Sequence, residues 1–193
     1  MTEGKNIRFT VEELLYLLRR QNHDLLNDFQ VVMGYLQIGH LEKGLFYLKK
    51  GMKNWLSQRE LLRLEQPTTI LLLFNSKIEF GKIGIKLQIN SNTSLENLPL
   101  SETKLNEFLC SILELYKKFA SLDEKELFLK IKETEEAYLF QFKSSFAILQ
   151  SEPKWDFKKR AEEIIGKIKG LCQLSENELI CNLPKKDTSE LGE

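Results

Sequence analysis

The first proline of the chain is Pro67, and ahead of it apolar residues recur every three or four positions across two long stretches broken only around Gly39. A proline-free run with that period admits little other than helix. Thr10-Val-Glu-Glu13 has the form of a capping box, so the first helix is expected to start at Val11. Leu15, Leu18, Leu25, Phe29, Val32 and Leu36 form a seam thickened by Leu14, Leu26 and Met33, which predicts helix to about Ile38. Gly39 supplies a stop and His40 a turn residue. Leu41, Leu45, Leu48, Met52 and Leu56, with Phe46 and Trp55, then predict a second helix toward Arg63. So short a turn makes the two an antiparallel hairpin. A lone hairpin cannot bury both apolar faces, and the expected remedy is a second copy, giving a homodimeric four-helix bundle with the seams inside.

Beyond Pro67 the pattern is mixed. Thr69 to Phe80 reads as a helix, Ile83 to Ile89 alternates like a strand, and Asn90 to Pro99 is a polar turn region. Ser101 can cap a helix marked by Leu105, Phe108, Leu109, Ile112, Leu113 and Tyr116, running to about Ala120. Glu126 to Lys132 and Ala137 to Lys143 read as two strands joined by a charged turn. Lys154 to Lys169 reads as a helix closing at Gly170, and Glu178 to Leu183 as a last strand before a polar tail. The fold class is therefore α+β, with a helical hairpin over residues 1–65 followed by a small α/β sandwich over residues 66–193. A chain of 193 residues has room for two such small domains.

Charge and cysteine content narrow the function. Lys plus Arg and Asp plus Glu are 28 each, so the whole-chain field gives no pull toward nucleic acid or an anionic membrane. Cys110, Cys172 and Cys181 include no CxxC pair, which favours neither a disulfide framework nor a thiolate zinc site and suits a reducing compartment. The N-terminus lacks the apolar core of a signal peptide, and no apolar run approaches the roughly 18 residues of a membrane span. A cytoplasmic location is expected.

Chemistry is most concentrated around His23. At 3.6 residues per turn Tyr16, Arg20, His23, Asn27, Gln30 and Gly34 fall on one stripe beside the apolar seam. An exposed histidine on a helix is in the simplest case a surface residue. A neutral imidazole that is rigidly presented can also attack phosphorus and hold the phosphoryl group as a labile phosphoramidate. Asn27 could then bond the phosphoryl oxygens, and Gly34 would let another protein approach the backbone. Asp24 lies about 100° away around the helix, so spacing alone does not make it a base.

His23-Asp-Leu-Leu-Asn27-Asp-Phe-Gln-Val-Val-Met-Gly34, followed after Gly39 by Glu42-Lys-Gly-Leu-Phe-Tyr-Leu, resembles the phosphoacceptor hairpin of citrate-sensor-type histidine kinases. It is still more similar to the family of sporulation initiation phosphotransferases. The resemblance covers the hairpin residue by residue and the rest only by order of elements. On the helix Leu105 to Tyr116, Leu115 occupies the place of the kinase metal-binding Asn, with Glu114 beside it. No DxGxG and no Gly-rich lid follows Lys143, and without clustered glycines a backbone cannot wrap phosphates. The resemblance thus implies a degenerate kinase ATPase domain with no bound cofactor, in which Glu114 leaves weak, non-catalytic nucleotide binding open.

What the resemblance implies for function is a phosphotransferase. The aspartyl phosphate of one response regulator would pass to His23 and on to the aspartate of a second regulator controlling sporulation, with Mg²⁺ carried by the regulator. Arg20, Asp24, Asn27, Gln30 and Gly34 would support the phosphoryl group and contact the receiver domain. Lys43, Lys49, Lys50 and Lys53 could meet an acidic partner surface, although a solvated helix face is the simpler reading for them. The alternatives are a kinase-like dimer that binds a regulator without transferring phosphate, and an active sensor-kinase core. A metal-dependent HD phosphohydrolase would need ligands beyond His23 and Asp24, and His40 at the turn is the only other histidine.

Overall fold

A computed structural model describes residues 10–119, 125–145 and 154–185. The extreme N-terminus, most of the stretch between Lys143 and Trp155 whose sequence lacks a Gly-rich lid, and the polar tail lie outside these residues. The chain divides between Leu62 and Arg63 into two compact units.

The helical unit is the hairpin. Helix α1 runs Val11–Gln37 and begins with the full capping box: the Glu13 amide donates to Thr10 Oγ1 at 3.2 Å, and the Thr10 amide donates to Glu13 Oε2 at 2.7 Å. It ends at Ile38 and Gly39, where Gly39 takes φ +75°. The Gly39 amide donates to the Leu36 carbonyl and the His40 amide to the Tyr35 carbonyl, the paired reverse bonds that close a helix on a left-handed residue. Helix α2, Leu41–Leu61, starts at once and runs into a single 3₁₀ turn, Leu62–Leu64. His40 is its N-cap residue and makes no side-chain capping bond.

Two glycines of α2, seven residues apart, let the helices approach. A Cβ on Gly44 would lie 3.3 Å from Leu36 Cδ2, and one on Gly51 would lie 3.3 Å from Asp28 Oδ2. The seam itself stays open in the single chain, with Leu18, Phe29, Met33, Met52 and Leu56 each half exposed or more.

The second unit is a one-sided α/β layer. Its elements are α3 (Pro67–Lys82), β1 (Ile85–Ser91), α4 (Glu102–Phe119), β2 (Lys125–Glu133), β3 (Ala137–Ser144), α5 (Lys154–Gly166), β4 (Leu171–Leu174) and β5 (Glu178–Pro184). The strand order is β1-β2-β3-β5-β4, with β1 and β2 parallel and every other pair antiparallel. The three helices form one layer: α3 packs on β1 and α4, and α5 packs on α4 and β4. Inward positions alternate along the strands, as Leu127, Leu129 and Ile131 on β2 and Leu179, Cys181 and Leu183 on β5 are all buried. Between the layers Phe108 meets Phe140 edge-on at 5.6 Å and Tyr116 stacks on Phe142 at 5.8 Å. Phe157 of α5 meets Tyr116 edge-on at 5.2 Å, and the Tyr116 hydroxyl donates to the Phe142 carbonyl.

Four expectations change. Strand β1 starts at Ile85 rather than Ile83, because α3 runs to Lys82 and Ile83 closes it, and it continues through Asn90 and Ser91 by pairing with β2. Helix α3 begins at Pro67 rather than Thr69, because proline suits the first helical position and the Glu102 carboxylate of α4 accepts the Thr68 and Thr69 amides at 2.8 and 3.1 Å. Helix α5 ends at Gly166, three residues early. Lys169 takes the left-handed conformation at φ +55°, while Gly170 is needed for space: a Cβ there would lie 2.7 Å from Leu183 Cδ2 and 3.2 Å from the Asn182 carbonyl oxygen. Strand β4 was not expected. Its four residues are too few to show alternation, and they become a strand by pairing with β5.

Candidate functional site

Helix α1 carries the whole site. Its capping box fixes where the helix starts, and the 3.6-residue period decides which residues share a face with His23, three turns further on. The His23 side chain is 72% exposed and Asp24 is 65% exposed. Asn27, one turn on, places its amide nitrogen 3.1 Å from His23 Nδ1. Asp24 Oδ1 lies 3.5 Å from the same nitrogen. Asp24 therefore comes within reach of the imidazole despite its angular offset along the helix.

These two neighbours make the tautomer a matter of chemistry. An amide N–H donated to Nδ1 leaves the ring proton on Nε2, whereas a carboxylate at Nδ1 favours the proton on Nδ1. Turning the Asn27 amide through 180° presents its carbonyl and brings the two into agreement. Nδ1–H is then held from two sides, and the Nε2 lone pair faces solvent.

Of the other expected residues, Arg20 joins Tyr16, Arg19, His23 and Asp24 in lining an open cavity of about 470 Å³. Two guanidinium groups at the rim make this the surface on which an anionic group would settle. Gln30 is exposed on the same stripe. Gly34, a further turn down, has open space where a Cβ would be.

A feature absent from the sequence reading lies toward the turn. Tyr35 of α1 stacks on Tyr47 of α2 at 5.2 Å, with Lys43 Nζ 5.9 Å from the Tyr35 ring and Lys50 Nζ 5.7 Å from the Tyr47 ring. Tyr47 beside it pushes the Tyr35 phenol up from its ordinary pKa. The two rings meet only once both helices are folded against each other, and the spacing within either helix gives no sign of it. Two of the four lysines named above thus lie against aromatic rings.

On the seam side Leu25, Phe29, Val32, Leu48, Met52 and Trp55 line an apolar groove of about 330 Å³, and Asp28 is also in its wall. In the α/β unit Leu115 is buried in the core, and Glu114 pairs with Lys117 at 2.7 Å on the helix surface. Among the described residues no cluster of His, Cys, Asp and Glu is arranged to hold a metal ion, and no helix is long and apolar enough to cross a membrane.

Residues 5–64 match the family of sensor kinase SpoOB-type alpha-helical domains. No curated protein matches the chain. Among solved structures the chain is similar to the Acinetobacter baumannii histidine kinase AdeS, at 10% identity and a TM-score of 0.49 over 86% of this chain and 98% of that one. It is also similar to the catalytic domain of histidine kinase ThkA, at 13% identity and a TM-score of 0.45 over 59% and 90%. A third is the mycobacterial sensor histidine kinase MprB, at 8% identity and a TM-score of 0.41 over 59% and 93%.

Proposed function

We propose that the chain, whose residues 5–64 match the SpoOB-type sensor-kinase helical domains, is a phosphotransferase working through a phosphohistidine at His23. The observation that carries this reading is the environment of one ring: His23 is exposed, and Asn27 and Asp24 meet at its Nδ1 while Nε2 is left open.

In the proposed step the Nε2 lone pair attacks the phosphorus of a regulator's aspartyl phosphate in line. The N–P bond forms as the bond to the aspartate oxygen breaks, and the carboxylate leaves with the electron pair. No proton has to move. The ring becomes cationic, its Nδ1–H faces Asp24, and Arg20 offsets charge on the phosphoryl oxygens. The reverse step on a second regulator's aspartate returns the imidazole. Mg²⁺ enters with the regulator, and this chain binds no cofactor of its own.

The partners in this reading are response-regulator receiver domains as donor and acceptor, in the cytoplasm, with entry into sporulation as the output. Gln30 and Gly34 lie in the contact surface. Residues 1–65 are the dimerisation and phosphoacceptor domain, two copies pairing their open seams into a four-helix bundle, and residues 66–193 are a degenerate ATPase-like domain. The exposed apolar side chains of the seam support the dimer.

The test is to offer the purified protein labelled ATP in one tube and a labelled phosphorylated response regulator in another, each with Mg²⁺. Acid-labile, base-stable label acquired from the regulator only, and absent in His23→Gln, is the expected result. Label from ATP would make the chain a kinase. No label from either would leave a module that binds without transferring.

A further inference from the structure

Cys172 and Cys181 lie directly opposite each other in the β4–β5 ladder. Both are free thiols. The phase of the ladder follows from the hairpin end, where the Ser175 amide donates to the Glu178 carbonyl at 2.8 Å. Counting back one residue on each strand alternates the pairs: Ser175 with Glu178 is hydrogen-bonded, Leu174 with Leu179 is not, Gln173 with Ile180 is, and Cys172 with Cys181 is not. The other side of β5 agrees, since the Ser144 amide donates to the Asn177 carbonyl and so turns residues 177, 179 and 181 toward β3.

A non-hydrogen-bonded antiparallel pair has its Cα atoms about 4.5 Å apart with side chains on one face, inside the roughly 4.4–6.8 Å range of disulfides. The two thiols differ in access. Cys181 is fully buried, and Cys172, on the edge strand beside α5, is half-buried and keeps some contact with solvent.

We propose that Cys172 and Cys181 are a thiol pair that a hydroperoxide closes into an intrachain disulfide, Cys172 reacting first and Cys181 resolving it. The Cys172 thiolate attacks the terminal peroxide oxygen, which breaks the O–O bond and releases water or an alcohol after proton uptake. The sulfenic acid so formed is attacked at sulfur by Cys181, the S–S bond forms, and hydroxide leaves to take up the Cys181 proton as water. Two thiols are oxidised by two electrons and one peroxide is reduced. Burial raises the Cys172 thiol above its ordinary pKa, with Glu162 adding and Lys158 opposing, and burial raises Cys181 too. The reaction is accordingly slow and suits sustained oxidant. Its product staples the edge strand β4, which has a neighbour on one side only, to β5.

The experiment treats the full chain with hydrogen peroxide, alkylates it in denaturant and maps the peptides. Loss of two of the three thiols, a Cys172–Cys181 linked peptide and recovery of all three with dithiothreitol are expected. In Cys181→Ser a dimedone adduct should accumulate at Cys172. The proposal is overturned if all three thiols survive a dose that oxidises free cysteine in the same buffer, if the linkage involves Cys110 or a second chain, or if Cys172 proceeds to sulfinic acid while Cys181 remains alkylatable.

Discussion

Asn27 stands one helical turn beyond His23 with its amide 3.1 Å from Nδ1, the nitrogen that Asp24 Oδ1 also approaches, to 3.5 Å. The imidazole is thereby held at one nitrogen only. In the proposed transfer, Asn27→Ala should slow phosphoryl acceptance by about tenfold, the worth of one hydrogen bond of roughly 1.4 kcal/mol that orients the ring. Single-turnover transfer from a labelled regulator checks this. An unchanged rate would remove Asn27 from the positioning of His23.

The half-exposed seam predicts a dimer. Light scattering at micromolar concentration should give the mass of two chains for the wild type and for His23→Gln. Phe29→Glu puts a charge into a residue that is 50% exposed in the single chain and lines the apolar groove, and should give one chain. A wild type with the mass of one chain would refute the bundle.

Gly170→Ala should destabilise the second unit by about 1–3 kcal/mol, because its methyl group meets Leu183, Ile165 and the Asn182 carbonyl with no slack. Denaturant unfolding followed by the signal of the α/β unit reads this as a lower midpoint. An unmoved midpoint would mean that β5 and the end of α5 can give way.

Glu133 accepts from Lys185 at 2.6 Å, from the Thr93 hydroxyl at 2.6 Å and from the Tyr138 hydroxyl at 3.2 Å. The Lys185 ammonium first, and then Thr93, hold its carboxyl below the ordinary value of 4.5. A carboxyl lowered in the folded state stabilises fully above the unfolded-chain value, and that stabilisation is lost as pH falls through the lower folded value. Wild type should therefore exceed Glu133→Gln in stability at neutral pH, and the gap should narrow as pH drops below 4.5. A constant gap from neutral to acid would show that the charge contributes nothing.

Thr10→Ala removes half of the capping box and should cost the hairpin about 1 kcal/mol. Helical circular dichroism through thermal unfolding gives the comparison. Equal melting would show that α1 starts equally well without its cap.

The hairpin was legible because its signals are local: a capping box, a proline-free apolar period and a single glycine at the turn decide α1 and α2 among themselves. The end of α5 was not, because Gly170 looks like a helix terminator in sequence and proves to be a packing requirement set by Leu183, thirteen residues on. Strand β4 was hidden for the same reason, since its identity comes from β5. At the site, the stripe through His23 was readable from helical periodicity. The approach of Asp24 to Nδ1 depends on a side-chain rotamer that periodicity does not encode, and the Tyr35–Tyr47 stack needs the hairpin to be folded before the two rings meet.

Asp28 sits in the wall of an otherwise apolar groove, beside Gly51. An all-apolar seam would accept any hairpin of similar shape. If a second copy covers this one, each chain brings a carboxylate to the join, and two like charges there repel unless each keeps its water or meets a cation. Asp28 therefore limits how deeply this stretch of the groove can be buried, whichever hairpin covers it.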